Sequence, residues 1–368
     1  SPRPNQTSPP VDATTSNQNI AKLLSSTHSK TIMADKDNLA TRAPESDAQE
    51  SLQPVDDSDS IIPGDSKPDQ GQTSMGKHCV TDRPTPAGQA PTGDITKYND
   101  VEVYVTKPAD YPHAPCKLLL LLTGGTGIHS TNSQLQADKF AAEGFLVVMP
   151  DQFAGDPAPS TTTTFSSPTE SHPSVIEQVK LGVAEVAKSF TIDMWLARHT
   201  PETVLPNLHA VLASVREEYA DAVAHGDGVY AAGYCVGARY ALLLAGETGG
   251  APSEPATPKD AEQGAATAPS GSRVKAVAIA HGAQIAVDEL AAVRAPTCIV
   301  AVEEDSLFPD EVRETGVRAL REQGVEVEVE VYPGMPHGFA VVGEYEDGEV
   351  AKQQAVAFRR MLGWLKER

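Results

Sequence analysis

Gly233-Tyr234-Cys235-Val236-Gly237 joins an apolar segment typical of a strand, residues 228–232, to a helix-like segment, residues 238–245. A serine on such a strand-to-helix turn is a nucleophile elbow, and here cysteine replaces the serine. Glycines are needed on both sides because the turn is sharp and strained, and larger side chains would collide with the backbone. The run therefore predicts covalent catalysis by Cys235. The alternative is a buried cysteine packed between two glycines.

Partners for Cys235 are expected downstream, because in this arrangement the chain order is nucleophile, acid, histidine. Asp305 follows the apolar segment 297–302, and His337 follows the next strand-like segment, 325–332. Both stand at the carboxyl ends of predicted strands, where ligands bind in open α/β sheets. We predict that Cys235, Asp305 and His337 form a catalytic triad.

Rival residues exist for both the acid and the base. Glu303 and Glu304 directly precede Asp305, which we favour because it stands before a turn, residues 306–309, at an exposed loop tip. His281 is the competing base, since it also ends a strand-like segment. It precedes the acid, so we interpret it as lining the pocket rather than as inert packing.

A cysteine nucleophile has to be activated, because a free thiol with a pKa near about 8.5 is mostly protonated at neutral pH. Cys235 precedes a predicted helix whose N-terminal dipole favours an anion, and His337 can accept the thiol proton to give a thiolate–imidazolium pair. The backbone N–H groups of Val236 and of Gly125 or Thr126, in a glycine-rich loop, are predicted to hold the oxyanion.

Further side chains are candidates for the wall or the mouth of the pocket. A lone histidine or tryptophan is more often part of the core or of the surface, and this is the alternative for His129, His199 and Trp195. The predicted wall consists of Gly124, Tyr234, His281, Trp195, Arg239 and Phe339.

Strand-like and helix-like segments alternate along the chain, which indicates a mostly parallel α/β sheet with helices on both faces. We predict strands at 101–105, 118–122, 145–150, 228–232, 274–280, 296–302 and 325–332. We predict helices at 134–143, 175–187, 201–223, 310–323 and 350–366. In the last strand valines alternate with glutamates, so we expect valines inward, carboxylates in water and a position near the edge of the sheet.

Composition divides the chain into unequal parts. Residues 1–95 are rich in Ser, Thr, Pro, Asp and Gln with almost no aromatic residues, too little apolar surface to offset the entropy of ordering. We predict a disordered tail over 1–95 and one α/β domain over 96–368. Residues 246–273, rich in Gly, Ala, Pro, Ser and Thr, are expected to form a low-complexity surface insertion in that domain.

Charge and targeting signals limit the partners. The formal net charge of −21 disfavours nucleic acid and anionic membranes, because phosphate binding relies on Lys and Arg clusters. No apolar run approaches about 18 residues and no secretory signal is visible, so we expect a cytoplasmic protein. A faint likeness of residues 1–34 to an organelle transit peptide is the alternative. The four scattered cysteines predict reduced thiols and no metal site. We expect a monomer or homodimer.

The quoted residues resemble the dienelactone hydrolase family over about residues 95–368. The elbow run, the downstream Asp305 and Pro336-His337-Gly338-Phe339 carry the resemblance, and residues 123–127 and 150–153 look like the fungal branch of the family. The resemblance implies an α/β-hydrolase fold and a hydrolase acting on a small-molecule ester, lactone or thioester through an acyl-cysteine. It also implies that neither a metal nor an organic cofactor is needed.

Three positions depart from the bacterial members of that family. Those members place a glutamate where Gly124 falls, and arginines that clamp a substrate carboxylate where Gly155 and Val341 fall. A carboxylate without a cationic fork loses its main charge-assisted hydrogen bonds. We therefore expect a less anionic ester, lactone or thioester as substrate.

Two functions from other classes stay open. In the first, the chain is a catalytically weak interaction protein that keeps the fold and presents its acidic face or its tail to partners, since function does not follow from fold. In the second, it is a redox sensor with a low-pKa thiol, which we disfavour because no resolving cysteine lies near Cys235 in the sequence.

Overall fold

A computed structural model of the chain describes residues 82–159, 190–247 and 273–368. The strands of this part are β1 (Asp94–Tyr98), β2 (Val101–Thr106), β3 (Lys117–Leu122), β4 (Phe145–Pro150), β5 (Val229–Tyr234), β6 (Ala276–Ala280), β7 (Thr297–Val302) and β8 (Val327–Tyr332). The helices are α1 (Thr131–Ala142), α2 (Pro201–Glu218), α3 (Ala220–His225), α4 (Val236–Gly246), α5 (Val287–Ala291), α6 (Asp310–Glu322) and α7 (Gly348–Lys366), with a further helical stretch at 190–198.

The strands form one sheet in the order β1-β2-β4-β3-β5-β6-β7-β8. The pairs β1–β2 and β2–β4 are antiparallel, and all the others are parallel. Parallel strands need crossover connections, and the helices between them cover both faces of the sheet. The predicted fold class, a mostly parallel α/β sheet with helices on both faces, is confirmed.

The leucine run of β3 shows why this sheet is buried on both sides. Successive strand residues point to opposite faces, so Leu118, Leu120 and Leu122 join the core cluster under α2 and α4, while Leu119 and Leu121 join the cluster under α1 and α7. All five side chains are at most 1% exposed. The central strands therefore read as continuous apolar runs rather than as an alternation.

Local differences from the predicted elements have physical causes. The helix predicted over 201–223 is divided at Tyr219, whose φ of −110° and ψ of 41° are not helical. The hydroxyls of Tyr219 and Tyr98 lie 3.1 Å apart, which ties this break to β1. Neither β1 nor α5 was predicted, because both are short and β1 is mostly exposed. The helix predicted at 175–187 lies outside the described residues.

The end of the predicted tail needs correction. Asp94 pairs with Val105 in the sheet. Residues 82–93, which we call the N-terminal strap, also bond to the domain: Glu344 donates its backbone N–H to the carbonyl oxygen of Pro84 at 2.8 Å, and Thr92 N–H donates to Asp138 at 2.8 Å. Polar contacts rather than apolar burial hold the strap, so composition gave no sign of it. The remainder of the predicted tail, 1–81, lies outside the described residues.

The last strand lies at the sheet edge, as predicted, but its two faces differ from the prediction. Val327 and Val329 pack against the core, whereas Val331 is 38% exposed. The carboxylates on the other face do not simply point into water, because Glu328 and Glu330 both form ion pairs with Arg360 of α7. The helix therefore supplies counter-charges that the strand sequence alone does not reveal.

The predicted insertion at 246–273 is described only at its two ends, since 248–272 lie outside the described residues. Arg273 donates its backbone N–H to the carbonyl oxygen of Glu247 at 3.0 Å, and the two side chains form an ion pair at 2.8 Å. The two described ends of the insertion therefore lie beside each other. None of the described helices combines the length and apolarity required to cross a membrane.

Candidate active site

Cys235 stands between β5 and α4 in a backbone conformation that few side chains adopt, with φ of 52° and ψ of −121°. Such a conformation costs about 1–3 kcal/mol and persists only where its surroundings enforce it. Here the N–H of Cys235 donates to the carbonyl of Ala280 at 3.2 Å, and its own carbonyl accepts from Ala283 at 3.1 Å. The end of β6 and the loop after it thus hold the elbow in place.

The two glycines of the elbow are required by backbone crowding, as predicted. A Cβ at Gly237 would overlap the carbonyl oxygens of Leu122 and Thr123 at the end of β3. A Cβ at Gly233 would lie 2.7 Å from the Cα of Ala238. Because these neighbours are backbone atoms, no side-chain movement relieves either contact.

Asp305 and His337 lie at the carboxyl ends of β7 and β8 and are joined by a hydrogen bond of 2.7 Å between Oδ2 and Nδ1. The other carboxylate oxygen, Oδ1, accepts the N–H of Leu307 at 3.0 Å, which fixes the plane of the carboxyl group. The expected exposed loop tip is wrong for Asp305, which is 6% exposed, whereas the rival acids Glu303 and Glu304 are exposed to solvent. Of the three acids, Asp305 is thus the one bonded to His337.

The surroundings of His337 favour its charged form. Burial opposes a charge on the ring, but the hydrogen bond to Asp305 and the neighbouring Cys235 outweigh it and raise the pKa of His337 to about 9. By strict geometry Nε2 has no hydrogen-bond partner among the described residues.

His281, the rival base, has a different environment. Its ring is 1% exposed, lies 4.9 Å from the ring of His337 and 5.9 Å from that of Tyr234, and neither ring nitrogen has a hydrogen-bond partner in the described part of the chain. Burial and then the neighbouring His337 hold the pKa of His281 well below its usual value. The imidazole of His281 is therefore neutral at neutral pH.

A cavity of about 30 Å³ lies against Cys235. That volume holds about two water molecules. Of the predicted pocket residues, Gly124, Tyr234 and His281 line it, as does Thr126. A Cβ at Gly124 would lie 3.3 Å from that of Cys235, so position 124 is directly beside the thiol.

Three predicted pocket residues do not line this cavity. Trp195 is fully buried against Phe153, and its indole N–H donates to the carbonyl of Asp156 at 2.8 Å, so it belongs to the core. Arg239 of α4 pairs instead with Glu289 of α5. Phe339 is also fully buried, 6.3 Å from the ring of His281.

The two remaining single histidines have structural partners. His199 packs 4.7 Å from the ring of Trp195, and its Nδ1 lies 2.9 Å from the carbonyl oxygen of the same residue. His129 pairs with Glu102 on the surface at 3.0 Å. His199 is therefore part of the core and His129 part of the surface, as the alternative interpretation of lone histidines predicts.

The groups expected to bind an oxyanion lie on two converging elements. Val236 is the first residue of α4, and an N–H at that position has no acceptor within its own helix. The loop after β3 is held by a 2.8 Å hydrogen bond from Ala158 N–H to the carbonyl of Gly125, and Thr126 Oγ1 lies 3.4 Å from Ser133 Oγ. The predicted role of Val236, Gly125 and Thr126 stays a prediction.

Sequence reasoning missed one wall of the cavity entirely. Arg83 of the N-terminal strap lines it, with its guanidinium carbon 4.3 Å from the centre of the Tyr345 ring. Nothing local marks Arg83, since it stands in a Ser-, Thr- and Pro-rich stretch. Three polar residues of α1, at 132, 133 and 136, also line the cavity and are buried, and their spacing on one helical face was a signal available in the sequence.

No group of three or more His, Cys, Asp or Glu residues in the described ranges is placed to hold a metal ion. Cys116 and Cys298 are buried and unbridged, and burial raises the pKa of each.

Comparison with known proteins gives concordant matches. The model of the dienelactone hydrolase family matches residues 101–253 and 263–368. The hydrolase tropI of Talaromyces stipitatus is 28% identical over 288 residues, 76% of this chain and 91% of that protein. The hydrolase pyvD of Aspergillus violaceofuscus is 30% identical over 249 residues, 68% of this chain and 79% of that protein. Both relatives are fungal, so the resemblance stated from the sequence is confirmed.

The fold has solved counterparts as well. A crystal structure from Klebsiella pneumoniae that carries the name dienelactone hydrolase superposes with a TM-score of 0.51 at 19% identity, covering 76% of this chain and 100% of that one. At this identity the likeness concerns the fold alone. It agrees with the expected α/β-hydrolase architecture.

Proposed function

The chain belongs to the dienelactone hydrolase family, and from that membership we propose that it cleaves a carboxylic ester, lactone or thioester with Cys235 as nucleophile, His337 as base and Asp305 as its orienting acid. Hydrolase function follows from the family. The observation that carries the finer proposal is the 2.7 Å Asp305–His337 hydrogen bond beside a cysteine held at a positive φ.

The first half of the reaction uses the thiolate–imidazolium pair. The sulfur of Cys235 attacks the carbonyl carbon, a C–S bond forms, and the carbonyl oxygen becomes an oxyanion that the N–H groups of Val236 and of Gly125 or Thr126 stabilise. When the oxyanion collapses, the bond to the leaving oxygen or sulfur breaks. The imidazolium of His337 gives its proton to that leaving group, and an acyl-cysteine remains.

The second half returns the enzyme to its starting state. Neutral His337 removes a proton from a water molecule, which attacks the acyl carbon. Collapse of the second tetrahedral intermediate breaks the C–S bond and releases the carboxylic acid and the thiolate. Asp305 fixes the tautomer of the ring throughout, because its carboxylate accepts a hydrogen bond from Nδ1–H of His337. The cycle balances with water as the sole co-reactant.

The test is turnover of a panel of esters, lactones and thioesters by the full chain and by Cys235→Ala. We expect the substitution to lower kcat by about 1000-fold or more, because it removes the nucleophile. Trapping of the acyl-enzyme by mass spectrometry after acid quench places the acyl group on the peptide containing Cys235. Turnover by Cys235→Ala close to the wild-type rate would exclude the mechanism.

A reactive ester analogue separates the enzyme from an interaction protein. We expect the analogue to label Cys235 and the labelling to be lost in His337→Ala, because the base is then missing. His129→Ala is the matched control, since this exposed histidine pairs with Glu102 away from the cavity. Unreactive Cys235 in a correctly folded protein would support an interaction protein.

A further inference from the structure

We propose that His281 is a further catalytic residue, which accepts a hydrogen bond from the water molecule that hydrolyses the acyl-cysteine. The inference rests on the proposed function of Cys235 and His337, and it assigns the water of the second half-reaction to a fixed place beside them. It gives a role to a buried imidazole that the acylation half of the reaction does not use.

The side chain of His281 is buried without the hydrogen bonds that buried polar groups ordinarily make. It is 1% exposed, and among the described residues neither of its ring nitrogens has a partner. Tyr234, on the same cavity wall, shows the ordinary arrangement, because its buried hydroxyl accepts a hydrogen bond from Nε2 of Gln136 at 2.9 Å. An apolar ring would fill the place of His281 at a lower cost of desolvation. Unpaired nitrogens in a cavity wall therefore indicate a polar ligand.

The backbone of His281 is strained and firmly held. Its φ of 36° lies in the left-handed region, which residues with a side chain rarely adopt. The N–H of His281 donates to the carbonyl oxygen of Val300 at 2.8 Å, and Ala280 and Ala283 on its two sides bond to the backbone of Cys235 at 3.2 and 3.1 Å. These hydrogen bonds fix the imidazole and the nucleophile relative to each other. Strained residues of this kind are concentrated at active sites.

The imidazole of His281 also lies within reach of the proposed base. The ring centres of His281 and His337 are 4.9 Å apart, and Nε2 of His337 likewise has no partner in the described part of the chain. One water molecule bridges two atoms up to about 5.6 Å apart when it makes two hydrogen bonds of about 2.8 Å. The cavity of about 30 Å³ is large enough for such a water, and both Cys235 and His281 line it. The ring of His281 is therefore placed to share a water molecule with the base.

The charge state of His281 is that of an acceptor. A neutral imidazole has one N–H and one nitrogen lone pair, whereas an imidazolium only donates. Burial, then the neighbouring His337 and to a smaller extent Arg83, hold the pKa of His281 well below its usual value. The ring therefore keeps its lone pair at neutral pH, even while His337 beside it carries a proton.

The hydrolytic step follows from these positions. One proton of the water is hydrogen-bonded to Nε2 of His337 and the other to the lone pair of His281, which leaves the lone pairs of the oxygen for the acyl carbon. As the new C–O bond forms, the first proton passes to His337 and the second stays on the oxygen. Collapse of the intermediate breaks the C–S bond, returns the electron pair to the sulfur and releases the carboxylic acid with the second proton. His281 is neutral before and after the step.

Single-turnover kinetics test the inference, because they separate the two halves of the reaction. The probe is p-nitrophenyl acetate, mixed with an excess of the full chain. Release of p-nitrophenolate, a leaving group that needs no proton, gives the acylation rate constant. Decay of the acetylated Cys235 peptide, followed by mass spectrometry after acid quench, gives the deacylation rate constant.

His281→Phe removes both nitrogens and keeps a flat ring of similar size. We expect it to lower the deacylation rate constant about 10-fold or more and to change the acylation rate constant by less than about 3-fold, because the water is needed only in the second half. His281→Asn and His281→Gln place a neutral amide oxygen near the position of Nδ1 or of Nε2, and one of them should recover part of the deacylation rate. The better of the two identifies the accepting nitrogen.

Stability separates this role from a structural one. Because a phenyl ring leaves no polar atom unpaired, His281→Phe should have a midpoint of thermal unfolding equal to or above that of the wild-type protein. His199→Phe is the matched control, since this buried histidine packs against Trp195 and Phe153 and does not line the cavity. It should leave the ratio of the two rate constants unchanged.

The possible results distinguish the inference from the function on which it rests. Equal loss of both rate constants in His281→Phe, or an unchanged deacylation rate constant, would overturn the inference alone. Release of p-nitrophenolate that persists in Cys235→Ala, or a wild-type protein whose Cys235 is not acetylated, would overturn the proposed function instead.

Discussion

The imidazole rings of His337 and His281 lie 4.9 Å apart, and their surroundings move their pKa values in opposite directions. Burial lowers the pKa of both rings, but only His337 has Asp305 and Cys235 beside it to compensate. Two titratable groups whose environments separate their pKa values define which of them transfers protons. His337 is therefore the proton carrier in our proposal, and His281 is a neutral part of the cavity wall.

A pH profile tests this assignment. Because the pKa of His337 is raised to about 9, its imidazolium form persists through neutral pH and is lost as the pH rises through that value. With an alkyl ester, whose alkoxide leaving group needs a proton, kcat/KM should fall on the alkaline side near pH 9. Asp305→Asn should move this fall to lower pH, since the carboxylate that raises the pKa is neutralised.

The control for the profile is Glu304→Gln, which removes an exposed charge one residue from Asp305. Its alkaline limb should coincide with that of the wild-type protein. An alkaline limb that stays in place in Asp305→Asn would show that another group controls it.

At the scale of single elements, the elbow depends on how closely α4 approaches the ends of β3 and β5. Gly233 and Gly237 permit this approach because a Cβ at either position would meet backbone atoms. The tight contact is what places the N-terminus of α4 directly after Cys235. The two elbow glycines in the sequence are thus explained by close packing between the helix and the sheet.

Gly237→Ala should lower the free energy of unfolding by at least about 2 kcal/mol, because the added methyl group overlaps the carbonyls of Leu122 and Thr123. Chemical denaturation followed by circular dichroism measures the change. Gly363→Ala is the matched control: this helical glycine of α7 has no atom within 4 Å of the new Cβ. It should raise stability by about 0.5–1 kcal/mol. Equal effects at the two positions would contradict the packing argument.

At the scale of the whole molecule, the two residues that flank the low-complexity segment, Glu247 and Arg273, lie beside each other. The backbone hydrogen bond and the ion pair between Glu247 and Arg273 close it, and His209 contacts the same carboxylate at 2.7 Å. The strands on either side, β5 and β6, are direct neighbours in the sheet. Residues 248–272 are therefore not needed to bring β5 and β6 together.

Replacing residues 248–272 with a four-residue Gly-containing turn should preserve the fold and raise the free energy of unfolding by about 1–2 kcal/mol, because a shorter loop costs less closure entropy. Thermal melting and ester turnover, compared with the full chain, measure both expectations. A large loss of stability with turnover abolished would show that the segment is an integral part of the domain. Glu247→Ala in the shortened chain should reverse part of the gain.

The sequence alone predicted seven of the eight strands that the structure describes, and it predicted the elbow and the triad residues. Apolar runs with period two or 3.6 set most strands and helices, and the elbow glycines follow from local backbone crowding. The predicted positions of Asp305 and His337 follow from a rule of chain order and from the fact that parallel strands end at one rim. These properties are local or topological, so neighbouring residues are enough to reveal them.

Only the tertiary structure decided what surrounds the thiol. Trp195 and Arg239 turned out to face the core and Glu289, while Arg83 arrives from a stretch whose composition resembles a disordered tail. No periodicity marks such residues, because long-range hydrogen bonds and a cation–π contact hold them rather than a repeating apolar face. Local sequence patterns predict helices, strands and tight turns, because these depend on residues close in sequence. A pocket wall consists of segments that are far apart in sequence and come together only after folding.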